Sequence, residues 1–124
     1  CNLTDETYHL VNSERISMMP KIGRDGSKCG NHIVNCARGG IVDEDAVANA
    51  LESGDLASAA LDVFETEPVS PEHPLLQMTN FHGTPHVGAA TIEAQARVGS
   101  DIVSNIMLVL DGENCDFTVN QQFL

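Results

Sequence analysis

Aromatic residues are scarce in this chain of 124 residues. It has no tryptophan, one tyrosine and four phenylalanines. A core must therefore be built from alanine, valine, leucine and isoleucine. Aliphatic cores of this kind are typical of a parallel sheet covered by helices, and this favours the α/β class. The length fits one small domain, since domains usually have roughly 100–200 residues.

Positive charge is also scarce. Six lysine and arginine residues stand against eighteen aspartate and glutamate residues, and the net charge is −12. Such a charge argues against nucleic acid and against an anionic membrane surface as partners. No apolar run is long enough to span a membrane. If the acidic residues simply form a solubilising surface, the few cations, and Arg38 above all, become the more informative residues.

The four cysteines form no Cys-x-x-Cys pair and show no regular spacing. This argues against a disulfide framework and a zinc site, and we predict no metal site of any kind. Reduced thiols are typical of cytoplasmic proteins, so the cytoplasm is the expected location. A Gly-x-Gly-x-x-Gly motif after a strand is absent too, and the chain therefore lacks the usual loop that holds a dinucleotide pyrophosphate.

Short apolar runs bounded by turn residues predict the strands. Buried strands are predicted over residues 32–36 and 56–64, a third extended segment over residues 80–83, and a strand in the tail over residues 117–119. The order strand, helix, strand in the middle of the chain predicts a parallel crossover.

Capping residues and apolar periodicity predict three helices. The first covers residues 14–19 and ends at Pro20, the second covers residues 43–53 with Gly54 after it, and the third begins after Thr91 and stops at Asp111 and Gly112. Residues 21–31 and 65–74 have no periodicity and are predicted to be loops.

Three polar side chains, those of Arg38, Glu67 and His86, follow predicted strands. In open α/β sheets, ligands bind in the crevice at the carboxyl ends of the strands. An arginine offers a rigid fork of donors that matches a carboxylate or phosphate, and a histidine can transfer a proton near neutral pH. These residues predict a site for small acids. The alternatives are a surface ion pair of Arg38 with Asp43 or Glu44, and an ordinary loop histidine at position 86.

Two further acids need partners. Asp62 lies within a predicted buried strand, where a carboxylate without hydrogen-bond donors is costly. Either backbone amides or a ligand must supply these donors. Glu65 competes with Glu67 as the carboxylate partner of His86, and is otherwise an exposed loop acid.

Residues 35–43, 59–68 and 84–90 resemble, in order and spacing, the C-terminal signatures of the D-2-hydroxyacid dehydrogenase family. Residues 34–43 and 88–95 are most similar to the D-3-phosphoglycerate dehydrogenase branch of that family. The resemblance implies an NAD-dependent oxidoreductase that acts on the CH–OH group of a D-2-hydroxy acid. It favours 3-phosphoglycerate as the substrate, 3-phosphohydroxypyruvate as the product and L-serine biosynthesis as the setting.

The resemblance also implies the fold. Residues 1–112 are expected to form the C-terminal half of a Rossmann-like, doubly wound parallel sheet domain, and residues 113–124 a tail that returns toward a substrate domain. The Gly-x-Gly-x-x-Gly half and the substrate domain are expected upstream, so the chain is interpreted as a fragment of a larger two-domain protein. Alone, it is expected to bind NAD weakly and to turn over no substrate.

The resemblance assigns His86 and Glu67 as the catalytic acid–base pair and Arg38 as the group that binds the substrate carboxylate. Asp62 is expected to bind the carboxamide of a nicotinamide ring. The positions expected to contact the cofactor are Cys1, Cys36, Ala37, Arg38, Asp62, His86, Gly88 and Ala89. The cofactor is expected to be NAD, and NADP stays open because the acid that holds the ribose lies upstream in relatives.

Two alternative functions stay open. Within the class, the alternative is a glyoxylate or hydroxypyruvate reductase. Outside it, the alternative is an NAD-sensing binding module of the corepressor type, in which partner binding replaces turnover. A homodimer or a higher homo-oligomer is the expected assembly.

Overall fold

The computed structural model describes residues 1–119. Its elements in chain order are α1 (Ser13–Ser17), β1 (His32–Asn35), α2 (Glu44–Ser53), β2 (Ser58–Leu61), a short 3-10 helix (Pro74–Gln77), β3 (Phe81–Gly83) and α3 (Ile92–Leu110). The chain divides into two compact units, of which the first is Cys1–Gly88 and the second begins at Ala89. None of the helices in the described residues combines the length and the apolar character that a membrane crossing requires.

The three strands form one parallel sheet in the order β1–β2–β3. Asn35 of β1 pairs in register with Leu61 of β2, and Leu61 pairs with Gly83 of β3. These are the last residues of the three strands, so the segments that follow them leave the sheet at the same edge. The predicted α/β class with a parallel sheet is confirmed, and the polar residues beyond the strands are brought to one place.

The helix α2 lies in the connection between β1 and β2. The side chain of Asp43 accepts a hydrogen bond from the Ala46 N–H at 2.9 Å and caps the first turn. Gly54 has a φ of 80°, a left-handed conformation that glycine adopts without a Cβ clash, and it ends the helix as predicted. The buried face of α2 consists of Ala46, Val47, Ala50 and Leu51.

The first unit has an aliphatic core with two phenylalanines at its edge. Its largest fully buried side chains are Val47, Leu56, Val63 and Leu75. Phe64 and Phe81 contact each other edge to face, with ring centroids 6.3 Å apart. The buried core side chains come from α1, α2, β2, β3, the 3-10 helix and the segments that connect them.

The α1 helix forms where predicted but ends at Ser17 instead of residue 19, and the loop after it follows the prediction. The side chain of Asn12 accepts from the Arg15 N–H at 3.1 Å and caps α1, which buries Ile16. The predicted loop over residues 21–31 contains no helix or named strand, and a single antiparallel bridge joins Ile22 to Lys28.

Three predictions for the strands need correction. The strand β1 is largely exposed, apart from Asn35, because it lies at the edge of the sheet of the described residues, and its Val34 is 72% exposed. The strand β2 covers Ser58–Leu61 instead of residues 56–64, because β1 and β3 supply pairing partners along that length alone. Residues 117–119 form no strand, since no neighbouring strand of the described chain pairs with them.

The second unit contains α3. The side chain of Thr91 accepts from the Ala94 N–H at 3.1 Å and caps the helix as predicted. No residue of α3 is buried. The predicted tail over residues 113–124 extends beyond the described residues, and its return toward a substrate domain stays a prediction.

Truncation of a core leucine tests this description of the first unit. We expect Leu56→Ala to lower the free energy of unfolding by about 2–5 kcal/mol, because it removes a fully buried side chain and leaves a cavity. The matched control is Leu3→Ala, at a leucine that is 46% exposed, which is expected to cost far less. The measurement is urea denaturation followed by circular dichroism, and equal losses for the two variants would contradict the placement of Leu56.

Candidate active site

His86 and Glu67 form a hydrogen-bonded pair beyond the carboxyl ends of β2 and β3. The Nδ1 of His86 lies 2.8 Å from Oε2 of Glu67, while Oε1 of Glu67 accepts from the Phe64 N–H at 3.0 Å. The hydrogen bond with His86, followed by that with the Phe64 N–H, lowers the pKa of Glu67 below its ordinary value. An ionised carboxylate can only accept, so Nδ1 carries a hydrogen and donates it. In the described residues, Nε2 of His86 has no hydrogen-bond partner and is the nitrogen left for a ligand.

The backbone around His86 is held by Asp62. His86 has a φ of 54°, in the left-handed region that non-glycine residues rarely adopt. The Asp62 carboxylate accepts hydrogen bonds from the Thr84 hydroxyl, from the Val87 N–H at 2.9 Å and from the Gly88 N–H at 2.7 Å. Donors on both sides of His86 therefore converge on one carboxylate, which holds the turn in its strained conformation.

Asp62 lies directly after β2 and not within it, although it is buried as predicted. Its hydrogen bonds, with that from the Thr84 hydroxyl first, lower the pKa of this carboxyl group below its ordinary value. The donors that a buried carboxylate needs are thus supplied by the chain itself. A carboxylate has about four acceptor positions, so the three donors leave room for one more.

Asn35 forms the turn that presents Arg38. The Asn35 side chain is buried at the end of β1, where its Oδ1 accepts from the Ala37 N–H and its Nδ2 donates to the Arg38 carbonyl, both at 3.0 Å. These two bonds close the turn between the strand and Arg38. Sequence reasoning did not single out this role, although asparagine at the end of a strand is a recognised turn signal.

The Arg38 side chain is exposed, and its Nη1 donates to the carbonyl of Ala37 at 2.7 Å. No carboxylate of the described residues forms an ion pair with it. The alternative of a surface ion pair with Asp43 or Glu44 is wrong, because Asp43 caps α2 and Glu44 binds His73. Arg38 is therefore a cation whose remaining donors are available to an anion.

The loops after β1 and β2 are in backbone contact. A Cβ added to Gly39 would stand 1.9 Å from the carbonyl oxygen of Phe64, so only a glycine fits at this position. This close approach fixes the segment that carries Arg38 against the segment that leads to Glu67. A cavity of about 410 Å³ adjoins the pair and is lined by Phe64, Glu67, Pro68, Val69, Pro85 and His86.

Glu65 is not the partner of His86. Its Oε1 accepts from Nε2 of His9 at 2.8 Å, and the His9 ring stacks on Tyr8 with centroids 4.0 Å apart. The geometry therefore pairs Glu67 with His86 and Glu65 with His9.

The other residues predicted to contact a cofactor have fewer contacts with the pair of His86 and Glu67 and with Asp62. Gly88 belongs to the site, since a Cβ there would stand 2.7 Å from Oδ2 of Asp62 and 4.0 Å from the Cβ of Cys36. Cys36 is exposed and Ala37 half-buried in the turn before Arg38. Cys1 is exposed, and no hydrogen bond of the described residues joins it to the site. Ala89 is the first residue of the second unit.

Removal of the Asp62 charge tests the role of this carboxylate. We expect Asp62→Asn to lower the free energy of unfolding at pH 7, because an amide nitrogen in place of one oxygen would face a backbone donor. Since the pKa of Asp62 is lowered in the folded state from its ordinary 3.8, its contribution is fully present above that value. The contribution is lost as the pH falls through the lowered pKa.

The difference in unfolding free energy between the wild type and Asp62→Asn should therefore be largest above about pH 4 and should shrink below it. Urea denaturation across this range measures the difference, with Asp5→Asn, at an exposed acid, as the control. A difference that stays constant down to the most acidic pH would show that the Asp62 carboxylate does not hold the turn.

Comparisons with known proteins identify the family of this chain. The family described as D-isomer specific 2-hydroxyacid dehydrogenase, NAD binding domain, matches residues 1–88. The chain is 43% identical to a glyoxylate reductase of Thermofilum pendens, over 98% of this chain and 34% of that protein. It is 45% identical to a D-3-phosphoglycerate dehydrogenase of Methanocaldococcus jannaschii, over 95% of this chain and 21% of that protein.

Solved structures are similar as well. A glyoxylate reductase from Paecilomyes thermophila superposes with a TM-score of 0.79 at 33% identity, over 98% of this chain and 34% of that chain. A D-isomer specific 2-hydroxyacid dehydrogenase from Xanthobacter autotrophicus Py2, in complex with NADPH and MES, superposes with a TM-score of 0.76 at 38% identity, over 99% of this chain and 47% of that chain. The chain spans about a third or less of the length of the two curated relatives. As the signatures at residues 35–43, 59–68 and 84–90 predicted, the chain belongs to the D-isomer specific 2-hydroxyacid dehydrogenase family, and residues 1–88 match its NAD-binding domain.

Proposed function

We propose that this chain is the part of an NAD-dependent oxidoreductase that supplies the proton-transfer pair and the carboxylate-binding arginine for the oxidation of a D-2-hydroxy acid. The observation that carries the proposal is the His86–Glu67 pair, with 2.8 Å between Nδ1 and Oε2, at the sheet edge where Arg38 has no acidic partner in the described residues. Conversion of a 2-hydroxy acid to a 2-oxo acid removes a hydride from carbon and a proton from oxygen. The His86–Glu67 pair can accept the proton, and the arginine can bind the carboxylate of the acid.

His86 takes the hydroxyl proton on Nε2. Glu67 holds the ring by its bond to Nδ1 and stabilises the imidazolium that forms, because its carboxylate stays ionised. In the reverse direction, the same imidazolium returns the proton to the carbonyl oxygen. The left-handed turn at His86, held by Asp62, fixes the direction in which Nε2 points.

Arg38 binds the carboxylate of the substrate. Its guanidinium offers two parallel donors to the two oxygens of an acid, which fixes the orientation of the neighbouring carbon. The turn closed by Asn35 limits where the guanidinium can reach.

The residues present fit a nicotinamide. Gly88 has no room for a Cβ beside Asp62, Cys36 and Ala37 are small, and Asp62 retains an acceptor for a carboxamide N–H. We propose that these residues, together with Cys1, Arg38, His86 and Ala89, hold the nicotinamide side of the cofactor. When bound, NAD accepts the hydride from the substrate carbon. NADP stays an alternative, because the similar dehydrogenase of Xanthobacter autotrophicus Py2 is in complex with NADPH.

The proposed substrate is 3-phosphoglycerate, oxidised to 3-phosphohydroxypyruvate in L-serine biosynthesis by a cytoplasmic homo-oligomer. Support comes from the signatures at residues 34–43 and 88–95 and from relatives named D-3-phosphoglycerate dehydrogenase at 45% and 46% identity. The second candidate is glyoxylate or hydroxypyruvate reduction, which is favoured by relatives with those names at 43% and 39% identity.

The first test uses the longest natural form of the protein that contains this chain. We expect NADH formation from 3-phosphoglycerate, measured at 340 nm. Glycerate with NAD is the parallel substrate for oxidation, and glyoxylate with NADH tests reduction. Turnover of glycerate and glyoxylate, combined with no turnover of 3-phosphoglycerate, would favour the reductase candidate. Absence of all turnover, with NAD still bound, would overturn the proposal in favour of an NAD-sensing binding module.

The second test is substitution of the proposed catalytic residues in the same protein. We expect His86→Ala to lower kcat by about 10²- to 10⁴-fold, because it removes the group that takes the proton. Arg38→Lys should mainly raise KM, because lysine cannot form the paired contact with a carboxylate. The control is His82→Ala, at an exposed histidine of β3, and equal losses for His82→Ala and His86→Ala would contradict the assignment.

A further inference from the structure

We propose that Glu44, at the start of α2, is a positioning residue that holds the loop carrying Glu67 in its working conformation. The inference rests on the proposed function, because it concerns the loop of the same proton-transfer pair. It starts from the contacts of the Glu44 carboxylate, which neither the helix nor the catalytic assignment explains.

Both oxygens of Glu44 are engaged by groups outside α2. Oε1 accepts from the Glu65 N–H at 2.7 Å, and Oε2 lies 3.0 Å from Nε2 of His73. The side chain of Glu44 is only 12% exposed, so water does not readily replace these partners. A carboxylate in this setting with two charge-assisted bonds is a strong cross-link between distant segments.

An acid in the first turn of a helix is usually explained by the helix dipole and by capping. Here the capping is done by Asp43, whose Oδ1 accepts from the Ala46 N–H. Asp45, also in the first turn, is exposed. Glu44 instead reaches away from its helix, to a backbone amide twenty-one positions later in the chain.

His73 is fixed in one tautomer. Its Nδ1 accepts from the Leu75 N–H at 3.3 Å, so Nε2 carries the hydrogen that is donated to Glu44. Leu75 is fully buried, and the His73 ring contacts Phe64 edge to face with centroids 5.8 Å apart. Glu44 is thereby tied to the core through His73 as well as to the loop through Glu65.

The bond from the Glu65 N–H to Glu44 lies one residue from the amide that holds Glu67. The N–H of Phe64 donates to Oε1 of Glu67, and the next N–H, that of Glu65, donates to Oε1 of Glu44. Two consecutive amides thus point at two different carboxylates, and the second bond fixes the plane of the peptide that joins Phe64 to Glu65. The same peptide is the one that Gly39 approaches, next to Arg38. Glu44 therefore fixes the point where the loops of Arg38 and Glu67 meet.

The direct test is the titration of Glu67 in this chain. The pKa of Glu67 is lowered by its bonds to His86 and to the Phe64 N–H, so it reports whether the loop is in place. We expect Glu44→Ala to shift the titration of the Glu67 carboxyl upward toward its ordinary value. Glu44→Gln, which keeps an acceptor for the Glu65 N–H, should shift it less. The matched control, Asp45→Ala, removes the same charge from the same helical turn and should leave it unchanged.

The measurement is carboxyl ¹³C NMR with labelled glutamate, with Glu67→Gln used to assign the resonance. A purely structural role of Glu44 predicts a lower melting temperature with an unchanged Glu67 titration in the folded protein, and that result would overturn the proposal. If Glu44→Ala does not fold, Glu44→Asp gives the readout, because its shorter side chain keeps the charge but withdraws the acceptor from the Glu65 N–H. An unchanged Glu67 titration in Glu44→Asp would then overturn the proposal.

Kinetics in the longest natural form give the second readout. We expect Glu44→Ala to lower kcat about tenfold with little change in KM, since a displaced Glu67 no longer stabilises the imidazolium while Arg38 still binds the acid. Asp45→Ala should leave both constants unchanged, and equal effects of the two variants would overturn the proposal. If the wild type turns over no hydroxy acid, the proposed function fails, and the Glu67 titration still decides the role of Glu44.

Discussion

The Asp62 carboxylate accepts hydrogen bonds from Thr84, Val87 and Gly88, and these bonds hold the backbone on both sides of His86. A left-handed histidine is a strained conformation, and it persists only where the surroundings determine it. The direction of the imidazole, and so its pairing with Glu67, follows from this constraint. Asp62 can hold the turn because β2 and β3 are parallel and in register, so that the end of one strand lies beside the end of the other.

Carboxylates that accept backbone N–H groups recur around the site. Asp43 caps α2, Glu44 binds the loop after β2, Asp62 holds the His86 turn, and Glu67 accepts from Phe64. Loops leave their amides without the partners that helices and strands provide, and an ionised oxygen satisfies them strongly. Some of the many acidic residues of this chain therefore have a structural role at the sheet edge, whether or not the others form a solubilising surface.

The same arrangement explains how Arg38 stays without an acidic partner in the described residues of so acidic a protein. The neighbouring carboxylates are already occupied, Asp43 by its helix and Glu44 by Glu65 and His73, so they do not neutralise the guanidinium. A buried asparagine closes the turn below it, and the contact at Gly39 fixes that turn against the next loop. The chain thus presents the hydrogen-bonded pair of His86 and Glu67 and an arginine without an acidic partner in the described residues beyond the ends of parallel strands. It spans about a third or less of the length of the two curated relatives.

The sequence by itself determined the α/β class, the position of α2 and its caps, the end of α3, and the polar residues that follow the strands. Local signals were sufficient for these, because caps, glycine stops and short apolar runs act within a few residues. The sequence did not determine that β1 is exposed, that β2 is only Ser58–Leu61, or that residues 117–119 are not a strand. Those outcomes depend on whether a neighbouring strand is present, which no local pattern records.

The choice of partners among the acids was also decided by tertiary structure. Glu65 and Glu67 are two positions apart and chemically identical, yet one binds His9 and the other His86. The signature before Pro68 favoured Glu67, but the roles of Asn35, Glu44 and Thr84 had no signal of that kind. Glu44 binds the Glu65 N–H and the His73 ring, and Thr84 donates to the Asp62 carboxylate. These partners are distant in the sequence, and such contacts exist only once the chain has folded.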